Sequence, residues 1–109
     1  MKSLGFQRNK YSGELYKFVR ETVGDTSTLK YYFAGNVAIS FGVDKVSKVI
    51  IRCDQPLEIG SVVSNIKDSS GNLVLDTTTW QINTLEPILN SFNAIESYRM
   101  RAIKFQGTL

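Results

Sequence analysis

Apolar and polar residues alternate over a long stretch near the middle of the chain. The apolar or glycine positions fall on every second residue: Leu29, Tyr31, Phe33, Gly35, Val37, Ile39 and Phe41. Because successive side chains of a strand point to opposite faces, this spacing predicts one long, half-buried β-strand over 29–41. A straight strand of that length would span about 43 Å, which is too long for a small domain. We therefore expect a bend, with a bulge at Gly35-Asn36.

Shorter segments on both sides of this strand are also typical of β-structure. Strands are predicted at 14–23, 48–53, 61–67, 73–75 with 79–85, and 97–106. Turns or loops are predicted at 24–27, 42–47 and 68–72, where turn-forming residues cluster or the apolar pattern stops. Pro87 is expected to end strand pairing, and apolar residues at helical spacing predict one or two helical turns within 88–95. The fold class is therefore all-β, a single small barrel or sandwich of about six antiparallel strands.

The length of the chain limits its organisation. A chain of 109 residues forms one domain, without room for a separate catalytic domain. Residues 1–13 show no periodicity and are predicted to be a flexible arm, which leaves 14–109 as the single β domain. No apolar run approaches the ~18 residues that would cross a bilayer, and the first ten residues do not resemble a signal peptide. We expect a protein that is used in a cytoplasm, or is assembled there into something larger, with no membrane partner.

The residues that usually carry catalysis are scarce. The chain has no histidine and a single cysteine, Cys53, which excludes Ser-His-Asp and Cys-His catalysis and most zinc sites. Cys53 follows an apolar run and is expected to be a half-buried strand residue. Asp54 and Glu58 are a remote candidate for paired carboxylates. The alternating Asp68, Ser70 and Asn72 are better explained by a turn than by a calcium loop. We expect no enzyme activity, no cofactor and no metal.

Basic and aromatic residues alternate in the first third of the chain. The formal net charge is only +3, but the first twenty residues hold five basic residues against Glu14 alone. Lys17, Arg20 and Lys30, together with Tyr32, are what a small barrel that stacks bases of a single strand would present. Tyr32 lies opposite the apolar stripe and is expected to be exposed. Core packing and a solvated arm explain the same residues, and both interpretations stay open.

A second basic pair lies near the end of the chain. Arg99 and Arg101 fall on one face of the last predicted strand. Two guanidinium groups on one face can bind acidic side chains of a neighbouring subunit, or phosphates. A solvated outer face accounts for the pair equally well.

The second half of the chain resembles a known family. Leu57-Glu58-Ile59-Gly60-Ser61 precedes the polar turn at 68–72, and Trp80-Gln81-Ile82, Leu85-Glu86-Pro87 and a closing strand at 98–105 follow. This order of parts is similar to that of the head–tail connector proteins of tailed bacteriophages, the neck or head-closure group. The similarity covers about residues 48–105. Ser61 stands where the family usually has aspartate.

The resemblance implies a structural virion protein, assembled in the host cytoplasm. Its six-stranded subunits would form a homo-oligomeric ring between portal or adaptor and tail proteins. That ring would extend or close a channel that transiently holds double-stranded DNA. The family's channel loop corresponds here to the segment with Val43, Asp44, Lys45, Val46 and Lys48, in which the two lysines would face DNA. The alternative is a small β-barrel that binds single-stranded nucleic acid through Lys17, Arg20, Lys30 and Tyr32.

Overall fold

The chain folds into a closed antiparallel barrel of six strands. The computed structural model describes residues 11–45, 48–74, 79–107 and 109. The strands are β1 (Tyr11–Val23), β2 (Thr26–Lys45), β3 (Lys48–Cys53), β4 (Val62–Lys67), β5 (Trp80–Leu89) and β6 (Ile95–Lys104). Their order around the barrel is β1-β2-β3-β6-β5-β4. The predicted all-β class is confirmed, and the more specific architecture is a barrel.

Two ladders between distant parts of the chain close the barrel. β1 pairs with β4, with Leu15 opposite Val63, and β3 pairs with β6, with Val49 opposite Ala102. The side chains that point inwards form one apolar core, which the alternation along each strand supplies. Its fully or almost fully buried members include Ile39, Val49, Ile51, Val63, Ile66, Trp80, Ile82 and Met100. Cys53 is a strand residue, as predicted, but it belongs to this core and is buried rather than half-buried.

A bulge divides the long apolar stripe of β2 into two faces. Glu14 pairs with Asn36 while Tyr16 pairs with Phe33, so that one residue of β1 faces two residues of β2. Gly35, with φ at 110°, takes the conformation that the bulge requires and that a side chain would disfavour. The predicted bend at Gly35-Asn36 is therefore confirmed. The stripe itself is not continuous: residues 37 and 39 point into the core, and residues 29, 31 and 33 lie on the outer face of the sheet.

The prediction of one or two helical turns within 88–95 is wrong. β5 extends to Leu89, a short turn follows, and β6 begins at Ile95. Pro87 does not end pairing either, because it lies opposite Tyr98 in the β5–β6 ladder. Among the described residues, β5 pairs with β4 only through Trp80 and Gln81. The edge of β5 at Pro87 is therefore open, which is where a strand tolerates proline.

Three predicted boundaries also change. Residues 11–13 begin β1 rather than ending an arm, while residues 1–10 lie outside the described part of the chain. β2 extends through Gly42 to Lys45, where a loop was expected. Leu73 makes a single bridge to Lys67 rather than a strand, and residues 75–78 are outside the described ranges.

The strand directions place the connections at two ends of the barrel. The β1–β2 turn, the segment 54–61 between β3 and β4, and the β5–β6 turn lie at one end, which we call the upper end. The β2–β3 and β4–β5 connections lie at the opposite, lower end. The radius of gyration is 15.0 Å, above the ~13 Å of a compact domain of this length, because hairpins extend beyond the barrel.

Candidate functional site

The β1–β2 hairpin continues far beyond the upper end of the barrel as a two-stranded ribbon, residues 17–33. The last pair between β1 and β4 is Tyr16 with Val62, and the first pair between β2 and β3 is Ser40 with Arg52. Between these points the two strands pair only with each other among the described residues. Every residue from 19 to 30 is exposed. The exposed apolar side chains on the hairpin are Val19, Val23, Leu29, Tyr32 and Phe33.

The base of the ribbon is fastened to the outside of the barrel by aromatic contacts. Tyr31 makes an edge-on contact with Phe105, with ring centroids 5.1 Å apart, and a tilted contact with Phe18 at 6.1 Å. Gln81 of β5 donates a hydrogen bond from Nε2 to the Tyr31 hydroxyl at 3.1 Å. Val62 points out of the barrel, since its neighbour Val63 is in the core, yet it is fully buried. We attribute its burial to this aromatic cover.

Gly60 lets the ribbon base approach the barrel closely. Its φ of 101° belongs to the region that side chains rarely adopt. A Cβ at this position would lie 2.9 Å from the Phe18 ring. The Gly60 carbonyl also accepts a hydrogen bond from Gln81 at 3.3 Å. The glycine of the Ile-Gly-Ser segment therefore has a structural explanation.

A polar cluster lies beside the ribbon base. The Glu14 carboxylate accepts hydrogen bonds from the Tyr16 hydroxyl at 3.2 Å and from Asn65 Nδ2 at 3.0 Å. Burial raises the pKa of the Tyr16 hydroxyl above its usual 10.0, and the Glu14 carboxylate raises it further. The hydroxyl therefore stays protonated near neutral pH and acts as a hydrogen-bond donor to Glu14.

The four residues of the predicted nucleic-acid face lie on the ribbon but not on one face of it. Lys17 is directly opposite Tyr32, and Lys30 lies on the same face, where its ammonium is 3.3 Å from the Glu21 carboxylate. Arg20 is opposite Leu29 on the other face and donates a hydrogen bond to Ser27 Oγ at 3.2 Å. Tyr32 is exposed, as predicted. The structure thus brings three of the four together.

The turn between β5 and β6 presents a second exposed apolar group, which we call the tip, residues 89–95. Asn90 Oδ1 accepts hydrogen bonds from the backbone N–H groups of Phe92 at 2.8 Å and Ala94 at 3.1 Å. The Asn90 N–H in turn donates to the Ala94 carbonyl at 2.9 Å. This network holds the turn in one shape, and Phe92 at its apex is 87% exposed. Leu89 and Ile95, at the base of the turn, are about half exposed.

A small cleft opens at the same end of the barrel, between β1 and the segment that precedes β4. Its volume is about 150 Å³, and it is lined by Leu15, Lys17, Gln55, Pro56, Leu57, Glu58 and Ser61. Leu15, Leu57 and Ser61 are buried, so they form the inner part of the cleft. The Ser61 hydroxyl oxygen has no hydrogen-bond partner among the described residues, although the residue is 1% exposed. A buried hydroxyl in that state is costly unless something occupies the cleft and bonds to it.

The two other predicted sites occupy different parts of the barrel. Arg99 and Arg101 are both exposed on the outer face of β6, as their spacing predicts. Arg99 donates a hydrogen bond from Nε to Glu86 at 2.6 Å, so an acidic partner from its own chain already binds it. Arg101 is opposite Ile50 and Thr84.

The candidate channel segment lies at the lower end of the barrel. Val43, Asp44 and Lys45 are the last residues of β2, Lys48 begins β3, and Val46 lies outside the described residues. Val43 pairs with Val49 and Lys45 with Lys48, with an irregularity between them. The segment is therefore mostly the end of a hairpin rather than a long loop.

The described residues contain neither a metal-binding cluster nor a membrane-spanning helix. Within the described ranges, no three metal-ligating side chains come together, and no helix has the length and hydropathy of a membrane span. The Cys53 thiol is buried and donates to the Ala38 carbonyl at 3.5 Å.

The sequence predicts neither the tip nor the cleft. The spacing of Leu89, Phe92 and Ile95 suggested a helix, although Asn90 and Asn93 on either side of Phe92 are turn formers. Nothing in the sequence indicated that Ser61 would be buried without a hydrogen bond.

Comparisons of the chain with protein-family models, with curated proteins and with solved structures each found no match. What the chain does is therefore inferred from its own residues and their arrangement.

Proposed function

We propose that the chain is a structural protein of a tailed bacteriophage particle, a ring-forming connector of the neck that extends or closes the DNA channel and docks the tail. The observation that carries the proposal is that two hairpins with exposed apolar side chains, the ribbon and the tip, extend from one end of a closed barrel. Where the barrel is closed, its strands have no free edge to pair with a partner, and an exposed apolar group on a folded domain usually marks a contact surface. The extensions are therefore suited to binding other subunits.

Ring assembly places specific demands on such a subunit. A closed ring needs a heterologous contact, in which one surface of a subunit binds a different surface of the next. The ribbon and the tip leave from different strand pairs of the barrel, so one subunit can contact neighbours on two sides. Contacts with portal or adaptor proteins and with the tail would use the remaining exposed surface.

The proposed channel surface is the lower end of the barrel, with Lys45 and Lys48. Two lysines per subunit would attract DNA without holding it, because the attraction of so few charges is weakened by screening at physiological salt. A channel through which DNA must slide is served better by such weak attraction than by tight binding. The small net charge of +3 agrees with this requirement.

Particle composition tests the proposal. Tailed particles purified from the source should contain the chain by mass spectrometry, and a gold-labelled antibody should mark the junction between head and tail. Genes for portal, capsid and tail proteins should flank its gene. Absence of the chain from purified particles, with neighbouring genes for replication or metabolism, would overturn the proposal.

A single-stranded nucleic-acid-binding barrel is the second candidate, and the cross-strand pair Lys17 and Tyr32 favours it. The exposed Tyr32 ring can stack on a base, and the Lys17 ammonium beside it can bind the phosphate of that nucleotide. Fluorescence titration of labelled single-stranded DNA at several salt concentrations tests this. Tyr32→Ala should weaken binding by roughly tenfold or more, since one stacked base contributes about 1–3 kcal/mol. Phe92→Ala, which removes another exposed aromatic side chain at a position remote from these residues, is the control and should leave binding unchanged.

A further inference from the structure

We infer that Phe92 of one copy inserts into the cleft beside Ser61 of a second copy of this chain. The inference rests on the proposed function, because it names the contact that would join neighbouring subunits of the ring. The cleft and the tip are complementary in size, in polarity and in position.

The size of the cleft suits a phenyl ring. At about 150 Å³ it equals the volume of an apolar cavity in a protein interior that binds benzene. Leu15, Leu57 and Pro56 provide apolar surface for the ring. Phe92 is the most exposed of the large apolar side chains described, at 87%, and the hydrogen bonds of Asn90 hold its backbone in place. Little backbone freedom is lost when such a residue binds, and this favours affinity.

The polarity of the two surfaces also agrees. The tip from Leu89 to Ile95 contains no charged residue, so its insertion removes no charge from water. Asn90 is occupied by the hydrogen bonds of the turn, but the Asn93 side chain provides an amide group for the Ser61 hydroxyl, which has no partner among the described residues. Lys17 and Glu58 lie at the edge of the cleft, where they stay in contact with solvent. The arrangement resembles a buried aromatic anchor with a polar rim, which is typical of energetically dominant interface residues.

The positions of the two features fit a head-to-tail contact. Both lie at the upper end of the barrel, the tip on β5–β6 and the cleft beside β1 and β4. Two different surfaces at the same end of the barrel, on different strand pairs, allow each copy to bind one neighbour and be bound by another. Repetition of that contact generates a closed ring when the rotation between copies is suitable, and an open filament when it is not.

Sedimentation velocity over a range up to millimolar concentration tests the contact with the full chain. We expect the wild-type chain to self-associate and Phe92→Ser to weaken association roughly 30-fold, as for a dominant interface residue. Leu73→Ser is the matched control, because it removes an exposed apolar side chain from the β4–β5 connection at the lower end instead. A similar, small effect of both changes on an associating protein would overturn the inference and leave the ring proposal standing.

A cross-linking experiment gives a second readout that does not depend on how Phe92→Ser folds. Phe92→Cys chains are mixed with Gln55→Cys chains and treated with a short bismaleimide, which adds to one thiol of each chain. We expect this mixture to give more cross-linked dimer than Leu73→Cys mixed with Gln55→Cys, since Leu73 is exposed at the lower end of the barrel. The native Cys53 is buried. Equal yields, or a wild-type chain that stays monomeric at millimolar concentration, would overturn the inference. Antibody labelling of particles would then still decide the proposed function independently.

Discussion

The barrel and the ribbon are built from the same two strands, yet their physical surroundings are opposite. Where β1 and β2 pass through the barrel, Leu15, Val37 and Ile39 are at most 5% exposed. Where the same strands continue into the ribbon, Val19 and Val23 are more than half exposed. The change occurs at the bulge at Gly35 and at the point where β4 ceases to pair with β1.

This difference teaches that strand-forming sequence and buried position are separate properties. A two-stranded hairpin with nothing packed on it is only marginally stable in water, whereas a closed sheet with one core unfolds as a unit. We therefore expect changes in the barrel to alter stability strongly, changes at the ribbon base to alter it moderately, and changes in the outer ribbon to alter association rather than folding.

The largest effect is expected from the core. Ile51→Ala removes a fully buried side chain from β3 and should lower the free energy of unfolding by about 2–5 kcal/mol through lost burial and a new cavity. Urea unfolding followed by the fluorescence of Trp80, the only tryptophan and itself in the core, measures this. Leu29→Ala in the ribbon is the control and should change stability by less than about 0.5 kcal/mol. Equal losses from both would abolish the distinction between barrel and ribbon.

The junction of ribbon and barrel should give the next largest effect. Gly60→Ala adds a Cβ against Phe18 at a positive φ, and we expect a loss of about 1–3 kcal/mol. Gly42→Ala is its control, because no atom outside its chain neighbours lies within 4 Å of the added group. Denaturant titration of the two variants measures their free energies of unfolding. If Gly42→Ala lowered stability as much as Gly60→Ala, the close approach of Gly60 to Phe18 would not explain the effect.

A smaller effect is expected from the aromatic attachment. Double-mutant analysis of Tyr31→Ala and Phe105→Ala should give a coupling free energy of about 0.5–1.5 kcal/mol, as for other edge-on ring pairs. The same analysis of Phe105→Ala with Val23→Ala, two residues on separate parts of the molecule, should give no coupling. Additive losses for the first pair would mean that the ribbon base is not fastened by this contact.

The smallest effect should come from the end of the ribbon. Val23→Ser changes a side chain that is 72% exposed, and the unfolding free energy should stay within about 0.5 kcal/mol of the wild-type value. Hydrogen exchange sharpens the comparison: amides of residues 20–29 should exchange much faster than those of β3, because ribbon and barrel open separately. Uniform protection across both regions would show that the ribbon opens only when the barrel unfolds.

The sequence predicts well those parts of the fold that depend on local alternation and turn chemistry. The strands at 48–53 and 61–67 and the bulge at Gly35 follow from side-chain period and from the freedom of glycine. The alternation from Leu29 to Phe41 predicts a single face, whereas the bulge moves its two halves to different faces. The sequence on either side of a bulge keeps the same alternation, so the change of face is not visible in it. The open edge that makes Pro87 acceptable depends on how short β4 is, which is a property of the whole sheet.

The candidate site is less predictable because its parts come from distant positions. Lys17 and Tyr32 are brought together by pairing within one hairpin, and the alternation of basic and aromatic residues in that segment predicts them as a pair of contact residues. The cleft joins Leu15 with Leu57 and Ser61, which only the closure of the barrel brings together. The tip was mistaken for a helix, since three apolar residues in seven positions fit one helical face as well as a turn between two strands.

Closure of the barrel also determines the order in which the chain can fold. The β1–β2 hairpin joins its strands through the two-residue turn Gly24-Asp25, so it can form in microseconds. The ladders that close the barrel join positions about 50 residues apart, and such distant pairing takes milliseconds to seconds. During that interval the ribbon exists with both edges open, beside a sheet that has not closed. Refolding yield should therefore fall as protein concentration rises, because early hairpins of different chains meet before each barrel has closed.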